Sequence, residues 1–380
     1  MQDLDFRLHK FFLQSAARRL LPEEKRLAGC LRWPVPDAGG IGLWVSHEYH
    51  RAHFKGLQTC GSVWQCMPCS SKITERRRVE LREALDRSGY EFALVTYTLQ
   101  HSVSDLLVSL LDDLRGSYTW MKNTWSWKTF KADSGLVGSV TALEVTHGVN
   151  GWHPHLHDLQ VYQAGRALGA VDFFKESWLS ALQRRERTAS YKHGCDYRDA
   201  ATDVANYIAK FGHDPKDFKH PFKWGQAEEL TKAPVKMSRG DAGYTPFQLL
   251  DSYASCYDFR AGVLFREYAQ VFKGRHQLQW SEGLRALLGL GQEAADQELA
   301  ERVDDDSWLL AVLSLDDWRL VLGNDARGEL LEVASLGDID KLGVFVESLR
   351  PAVRSREDRV RRAARARDHG RGLVGSPVPA

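Results

Sequence analysis

No run of apolar residues in this 380-residue chain approaches the ~20 needed to cross a bilayer. The opening residues, Met1-Gln2-Asp3-Leu4-Asp5, carry neither the basic nor the apolar region of a secretory signal. The expectation is a cytoplasmic protein with no membrane partner. Cysteine is sparse: six residues in 380 argue against a disulfide scaffold. Net charge is nearly absent as well, at +1. That small figure hides segmentation. The balance of Lys and Arg against Asp and Glu is +5 over residues 1–90, +1 over 91–290, −11 over 291–349 and +6 over 350–380. Basic ends around an acidic block suggest an electrostatic surface near the N-terminus and a basic tail, which reads equally as a solvated end. With 43% apolar and 27% charged residues, composition is that of a globular protein, and the length suits one large domain plus a smaller one.

The densest chemistry lies in Gly151-Trp152-His153-Pro154-His155-Leu156-His157. Side chains alternate across a strand, so three histidines two residues apart share one face. The turn-like run His147-Gly148-Val149-Asn150-Gly151 separates this stretch from Gly138 to Thr146, which carries Glu144. A hairpin centred between Val149 and Asn150 puts Glu144 opposite His155. One carboxylate with two or three imidazoles suits Mg²⁺, Mn²⁺ or Zn²⁺. An incidental polar face or a cluster of core histidines is the plainer alternative.

The cysteines form a second cluster. Cys66-x-x-Cys69 has zinc-knuckle spacing, and Cys60 lies close enough to join it. Cys30 is the first choice for the fourth ligand, with His47, His50 and His53 competing. A redox pair lacks a surrounding βαβ pattern, and free buried thiols are the remaining alternative. The helix that follows, ending near Gly89, opens with Lys72, Arg76, Arg77 and Arg78, which offer phosphate contacts.

Elsewhere residues 1–29 read as a helical lead-in with Pro22 at a helix start. Glu91 to Leu99 reads as a central strand. Ser104 to Lys131 reads as one long helix ending in Trp120, Trp125, Trp127 and Phe130, a patch for core packing or for stacking on unpaired bases. Val171 to Arg184 and Leu249 to Leu288 read as helical, Trp318 to Ala334 as a hairpin around Asn324-Asp325, and Leu336 to Leu349 as the last helix. Ala201 to Phe211 reads as a helix stopped by Gly212. At about 100° per residue, Asp203, Tyr207 and Lys210 fall within an arc of about 60°. A cation beside a phenol favours phenolate, and a carboxylate there can orient water. A tyrosine at the edge of an amphipathic helix is also common. Residues 213–243 read as a basic loop, and 350–380 as a disordered, Arg-rich tail.

Three runs in this order, Thr96-Tyr97-Thr98-Leu99, His153-Pro154-His155-Leu156-His157 and Asn206-Tyr207-Ile208-Ala209-Lys210, resemble the three motifs of the rolling-circle plasmid replication initiators. These belong to the HUH endonucleases. The Cys60 to Cys69 segment with its basic helix, and Thr245-Pro246-Phe247-Gln248-Leu249-Leu250, resemble one branch of that family. The resemblance spans roughly residues 28–290. It implies an α+β fold, a central antiparallel sheet flanked by helices and related to the RNA-recognition-motif topology. It divides the chain into a zinc-stapled, DNA-contacting region (1–90), a nuclease domain (91–290), an acidic accessory region (291–349) and the tail (350–380). It implies Mn²⁺ or Mg²⁺ on His155, His157 and Glu144, with His153 as a further ligand, and structural Zn²⁺ on the cysteines. Tyr207 would attack a single-stranded origin site to give a 5′-phosphotyrosyl link and a free 3′-OH, helped by Lys210. Asp203 would activate water at termination. Implied partners are origin DNA, double-stranded for recognition and single-stranded for cleavage, a host helicase and a single-strand-binding protein. A transposase or relaxase of the same catalytic class, and a non-catalytic zinc-dependent DNA-binding protein, are the competing readings.

Overall fold

The structure, a computed structural model, describes residues 2–36, 38–165, 170–199, 243–302 and 306–350. The expected helix over 201–211, with Asp203, Tyr207 and Lys210, lies outside these residues. So do positions 213–242 of the basic loop and the tail from 351. Among the described residues no helix is long and apolar enough to cross a membrane.

Chain contacts divide the molecule into two units, residues 1–35 with 57–305 and residues 36–56 with 306–380. The first begins with α1 (Gln2–Leu20) and α2 (Lys25–Gly29). Pro22 follows α1 rather than opening α2, whose N-cap is Glu24. Helix α3 (Met67–Ser88) has Pro68 in its first turn, where a missing N–H costs nothing, and stops at Gly89 with φ 65°. Next come β3 (Glu91–Tyr97), α4 (Leu107–Asn123) and α5 (Trp125–Ser134). The single helix expected over 104–131 is therefore two. Thr124 is extended, with ψ 155°, and its hydroxyl accepts the Trp127 N–H at 3.2 Å, so a cap interrupts the helix.

The antiparallel hairpin β4 (Leu136–Gly148) and β5 (Gly151–Tyr162) follows, then α6 (Val171–Gln183) and β6 (Cys195–Asp199). Its turn is Val149-Asn150, and Glu144 pairs with His155, as the pattern predicts. Gly151 has φ 86°, and a Cβ there would stand 2.9 Å from Ser102 O, so only glycine fits. Beyond 243 lie α7 (Pro246–Cys256), α8 (Phe259–Phe272), β7 (Leu278–Trp280), α9 (Leu284–Leu287) and α10 (Asp296–Glu301). The expected helical stretch 249–288 thus contains a strand. The five-stranded sheet runs β6-β3-β5-β4-β7, every pair antiparallel. One face packs Ala93, Val95, Tyr97, Leu156 and Tyr162 against helices that include α4, α6 and α8. The other packs Leu94, Val140, Ala142, Leu159 and Val161 on Leu81, Ala84 and Leu85 of α3. Helices therefore cover both faces of an antiparallel sheet. Tyr97 is fully buried and points away from the histidine face, onto Trp178 at 4.9 Å between ring centres.

The second unit contains β1 (Ile41–Ser46), β2 (Ala52–Lys55) and β8 (Ser307–Leu313), in sheet order β2-β1-β8. Helices α11 (Leu315–Gly323), α12 (Arg327–Ala334) and α13 (Ile339–Ser348) complete it. This arrangement cuts across the expected boundaries at 90 and 290, because residues 41–46 pair with 307–313. It also replaces the expected hairpin over 318–334 with two helices. Ser314 caps the first by accepting the Asp317 N–H, and Asn324-Asp325 forms the interhelical turn, with Asp325 at φ 52°. Trp318 and Val321 are buried three residues apart, a helical spacing.

Candidate metal centres

Strands β3, β4 and β5 place the first site. Glu144 Oε2 lies 2.8 Å from His157 Nε2, so the carboxylate leans two pairs along from its cross-strand partner His155. Ligand atoms of Glu144, His155 and His157 all fall within 4.8 Å of one another. His157 is buried, and Glu144 and His155 are half-buried. One carboxylate and two imidazoles at this spacing fit a divalent cation such as Mn²⁺, Mg²⁺ or Zn²⁺, with coordination positions left for a substrate oxygen.

His153, expected as a further ligand, stands outside this triad. Its Nε2 lies 3.0 Å from Thr98 Oγ1 and 3.0 Å from His155 Nε2. The Thr98 hydroxyl donates to Pro154 O at 3.2 Å, so it accepts from His153. The Nε2 proton is thereby engaged, and that atom has no lone pair to give a metal. Burial, together with the nearby His101, pushes the His153 pKa down to about 4, so the ring is neutral at pH 7. His153 instead braces His155, and His101 lies against His153, its ring tilted by 33° with centres 4.6 Å apart. Two threonines that the sequence reading leaves without a role, Thr96 of β3 and Thr98 just past its end, thus touch the histidine ladder. Their signal is alternation: two hydroxyls two residues apart share one strand face.

The second site joins Cys30, Cys60, Cys66 and Cys69, all buried. Sulfur separations are 3.7 Å for Cys30–Cys66, 3.5 Å for Cys30–Cys69 and 3.6 Å for Cys60–Cys69. These exceed a disulfide bond of about 2 Å. They match the edge of about 3.8 Å expected of four thiolates around one Zn²⁺ with Zn–S near 2.3 Å. Cys30 thus takes the fourth corner, while His47, His50 and His53 belong to the β1–β2 segment of the other unit. Gln14 Nε2 donates to Cys66 Sγ at 3.3 Å, and the Ser62 N–H donates to Cys60 Sγ at 3.5 Å. Such donors hold thiolates in place. Hydrogen bonds from the neighbouring thiols hold Cys69 well below the usual thiol range, while burial pushes Cys66 up.

The basic residues of α3 are engaged within the protein. Arg77 is buried, 2.6 Å from Asp296 and 3.4 Å from Glu293. Arg78 is buried against Glu75 at 2.6 Å. Lys72 and Arg76 donate to the carbonyls of Ala300 and Arg302. Lys72, Arg76 and Arg77 thus dock α3 on residues 293–302, and Arg78 is held within the helix by Glu75. Arg77→Ala is therefore expected to act on stability. Breaking a fully buried pair costs about 3–5 kcal/mol. Glu293 and Asp296 keep about a third of their exposure and can rehydrate, so about 2–3 kcal/mol is expected, read as a lower melting temperature. The salt dependence of DNA binding should not change; a slope reduced by about one would restore the phosphate contact. In the aromatic patch, Trp127 is buried, Phe130 stacks on Phe173 at 4.4 Å and Arg184 lies over Trp120, leaving Trp125 as the exposed ring at 80%.

An antiparallel α+β sheet bearing a two-histidine, one-carboxylate triad, together with a four-cysteine cage, defines the class of site this chain carries. Among curated proteins the chain is similar to one named "Protein rep" from Streptomyces lividans, 29% identical with 70% of this chain and 73% of that protein covered. It is also 32% identical to a "Neomycin resistance protein" from Streptomyces cyanogenus, over 35% of this chain and 36% of that protein. No family model and no solved structure matches.

Proposed function

We propose that this chain is a plasmid replication initiator of the HUH endonuclease type, which nicks one strand of an origin by transesterification. The convergence of Glu144, His155 and His157 on one strand face carries the proposal. The likeness to a Rep-named protein over most of both chains supports replication over transposition or conjugation. Glu144, His155 and His157 would hold Mn²⁺ or Mg²⁺, which when bound neutralises the charge of a phosphodiester and polarises it. Tyr207 is the nucleophile. A phenol with pKa near 10 needs help at pH 7, and Lys210, three residues on, offers a cation to the phenolate or to the phosphate. Its oxygen bonds to phosphorus, and the O3′ of the preceding nucleotide leaves and takes up a proton. The products are a 5′-phosphotyrosyl link and a 3′-OH that primes synthesis. The covalent link conserves the bond for rejoining, which hydrolysis would lose. Asp203, four residues before Tyr207, is placed in sequence to orient water when the strand is released. The cysteine cage would hold structural Zn²⁺. The DNA partner is an origin, duplex for recognition and single-stranded for cleavage, with a host helicase and single-strand-binding protein downstream in the cytoplasm.

The test is a labelled single-stranded origin oligonucleotide with Mn²⁺. Wild-type protein should form an adduct that survives denaturation and disappears with chelator. Tyr207→Phe should bind the oligonucleotide and form none. Binding without an adduct in the wild type would favour a non-catalytic zinc-dependent DNA-binding protein.

A further inference from the structure

The two nitrogens of His157 face different elements. Nε2 points at Glu144 Oε2 at 2.8 Å, and Nδ1 lies 3.0 Å from Thr96 Oγ1. Thr96 and His157 are direct cross-strand partners in the β3–β5 pair, so the strand register holds this contact. A neutral imidazole carries one proton. Without a cation the Glu144 carboxylate, an acceptor only, draws that proton to Nε2, and Nδ1 must then accept from Thr96. With a cation beside Glu144, Nε2 must present its lone pair, so the proton must sit on Nδ1 and be accepted by Thr96. Only a group that both donates and accepts serves both states. A hydroxyl does; a methyl, an ammonium or a carboxylate does not. Resting on the metal reading above, we propose that Thr96 is the positioning residue that holds the His157 ring and accepts its proton at Nδ1 when Nε2 turns its lone pair to the metal.

Thr98 sharpens the assignment. It makes a similar contact with His153, but its hydroxyl is committed as donor to Pro154 O. It can only accept, which fixes the proton on His153 Nε2 and withholds that atom from the metal. The two threonines therefore treat His157 and His153 differently. The Thr96 side frees the ring nitrogen facing the carboxylate, and the Thr98 side blocks it.

The experiment measures Mn²⁺ binding to the full chain by electron paramagnetic resonance, without DNA. Wild type should bind Mn²⁺ at the triad, and His157→Ala should lose that binding. Thr96→Val, which keeps shape and removes the hydroxyl, should weaken it by about 10- to 100-fold, the usual effect of losing a partner behind a metal ligand. Thr96→Ser should restore affinity to near the wild-type value, which a role in packing alone would not produce. Equal Mn²⁺ affinity in Thr96→Val and wild type, with His157→Ala deficient, overturns the inference and leaves the metal reading standing. Equal, negligible binding in wild type and His157→Ala overturns both. Long-range ¹H–¹⁵N spectra of the wild type with Mg²⁺ provide a check that needs no variant. They should show His157 protonated at Nδ1, and a proton at Nε2 would contradict the proposal.

Discussion

Cys66→Ser is expected to abolish zinc binding at the proposed four-cysteine site and to unfold the region around it. Structural zinc contributes apparent binding free energies of about 10–16 kcal/mol in small zinc domains. That equals or exceeds the whole net stability of a typical domain, about 5–15 kcal/mol. The cage is not peripheral. Cys30, Cys60, Cys66 and Cys69 lie in the same buried cluster as Leu13, Ile73, Phe247 and Phe265, so loosening it exposes the packing of α1, α3 and α7. Removing one thiolate also leaves Gln14 Nε2 without its sulfur acceptor. Metal analysis should find about one zinc per wild-type chain and none in the variant, whose melting temperature falls sharply or whose chain aggregates. Unchanged zinc content and melting would refute the cage as a metal site.

The second large effect is on chemistry with the fold retained. His155→Ala combined with His157→Ala should abolish nicking, a loss well beyond the 10- to 100-fold seen when a supporting partner is removed. Stability should fall, but by less than the net stability of the domain. Glu144 keeps some solvent access at 22% side-chain exposure, so losing the His157 partner costs about 1–3 kcal/mol at most. Cleavage at the wild-type rate by the double variant in Mn²⁺ would sink the assignment of the triad.

The metal hairpin is legible in the sequence because its evidence is local. Period-two histidines, a Gly- and Asn-rich turn and one carboxylate at the mirrored position are read from one short stretch. The observed register, Glu144 opposite His155, repeats that reading. The cysteine cage is legible through the spacing of Cys66 and Cys69, and the structure supplies Cys30 as the fourth corner. What escapes is long-range. Residues 41–46 pair with 307–313, and no periodicity in either segment announces the other. Lys72, Arg76 and Arg77 of α3 look like a phosphate-binding face until residues 293–302, more than 200 positions away in sequence, provide their partners. The turn at Asn324-Asp325 is real, but such a turn joins helices as readily as strands. The Ser314 cap and the buried Trp318 and Val321 decide for helices. Thr96 escapes because a strand threonine is unremarked until a ring nitrogen stands 3.0 Å from its hydroxyl.

In the proposed reaction the chain breaks DNA by forming a tyrosyl phosphodiester through Tyr207. Peptide mapping by mass spectrometry of the adduct trapped on a single-stranded origin oligonucleotide with Mn²⁺ tests it most directly. The account predicts one modified peptide, spanning Tyr207 and carrying a 5′-phosphate. A 5′-phosphate on Tyr191 or Tyr197, or cleavage with no protein-linked product, would contradict it.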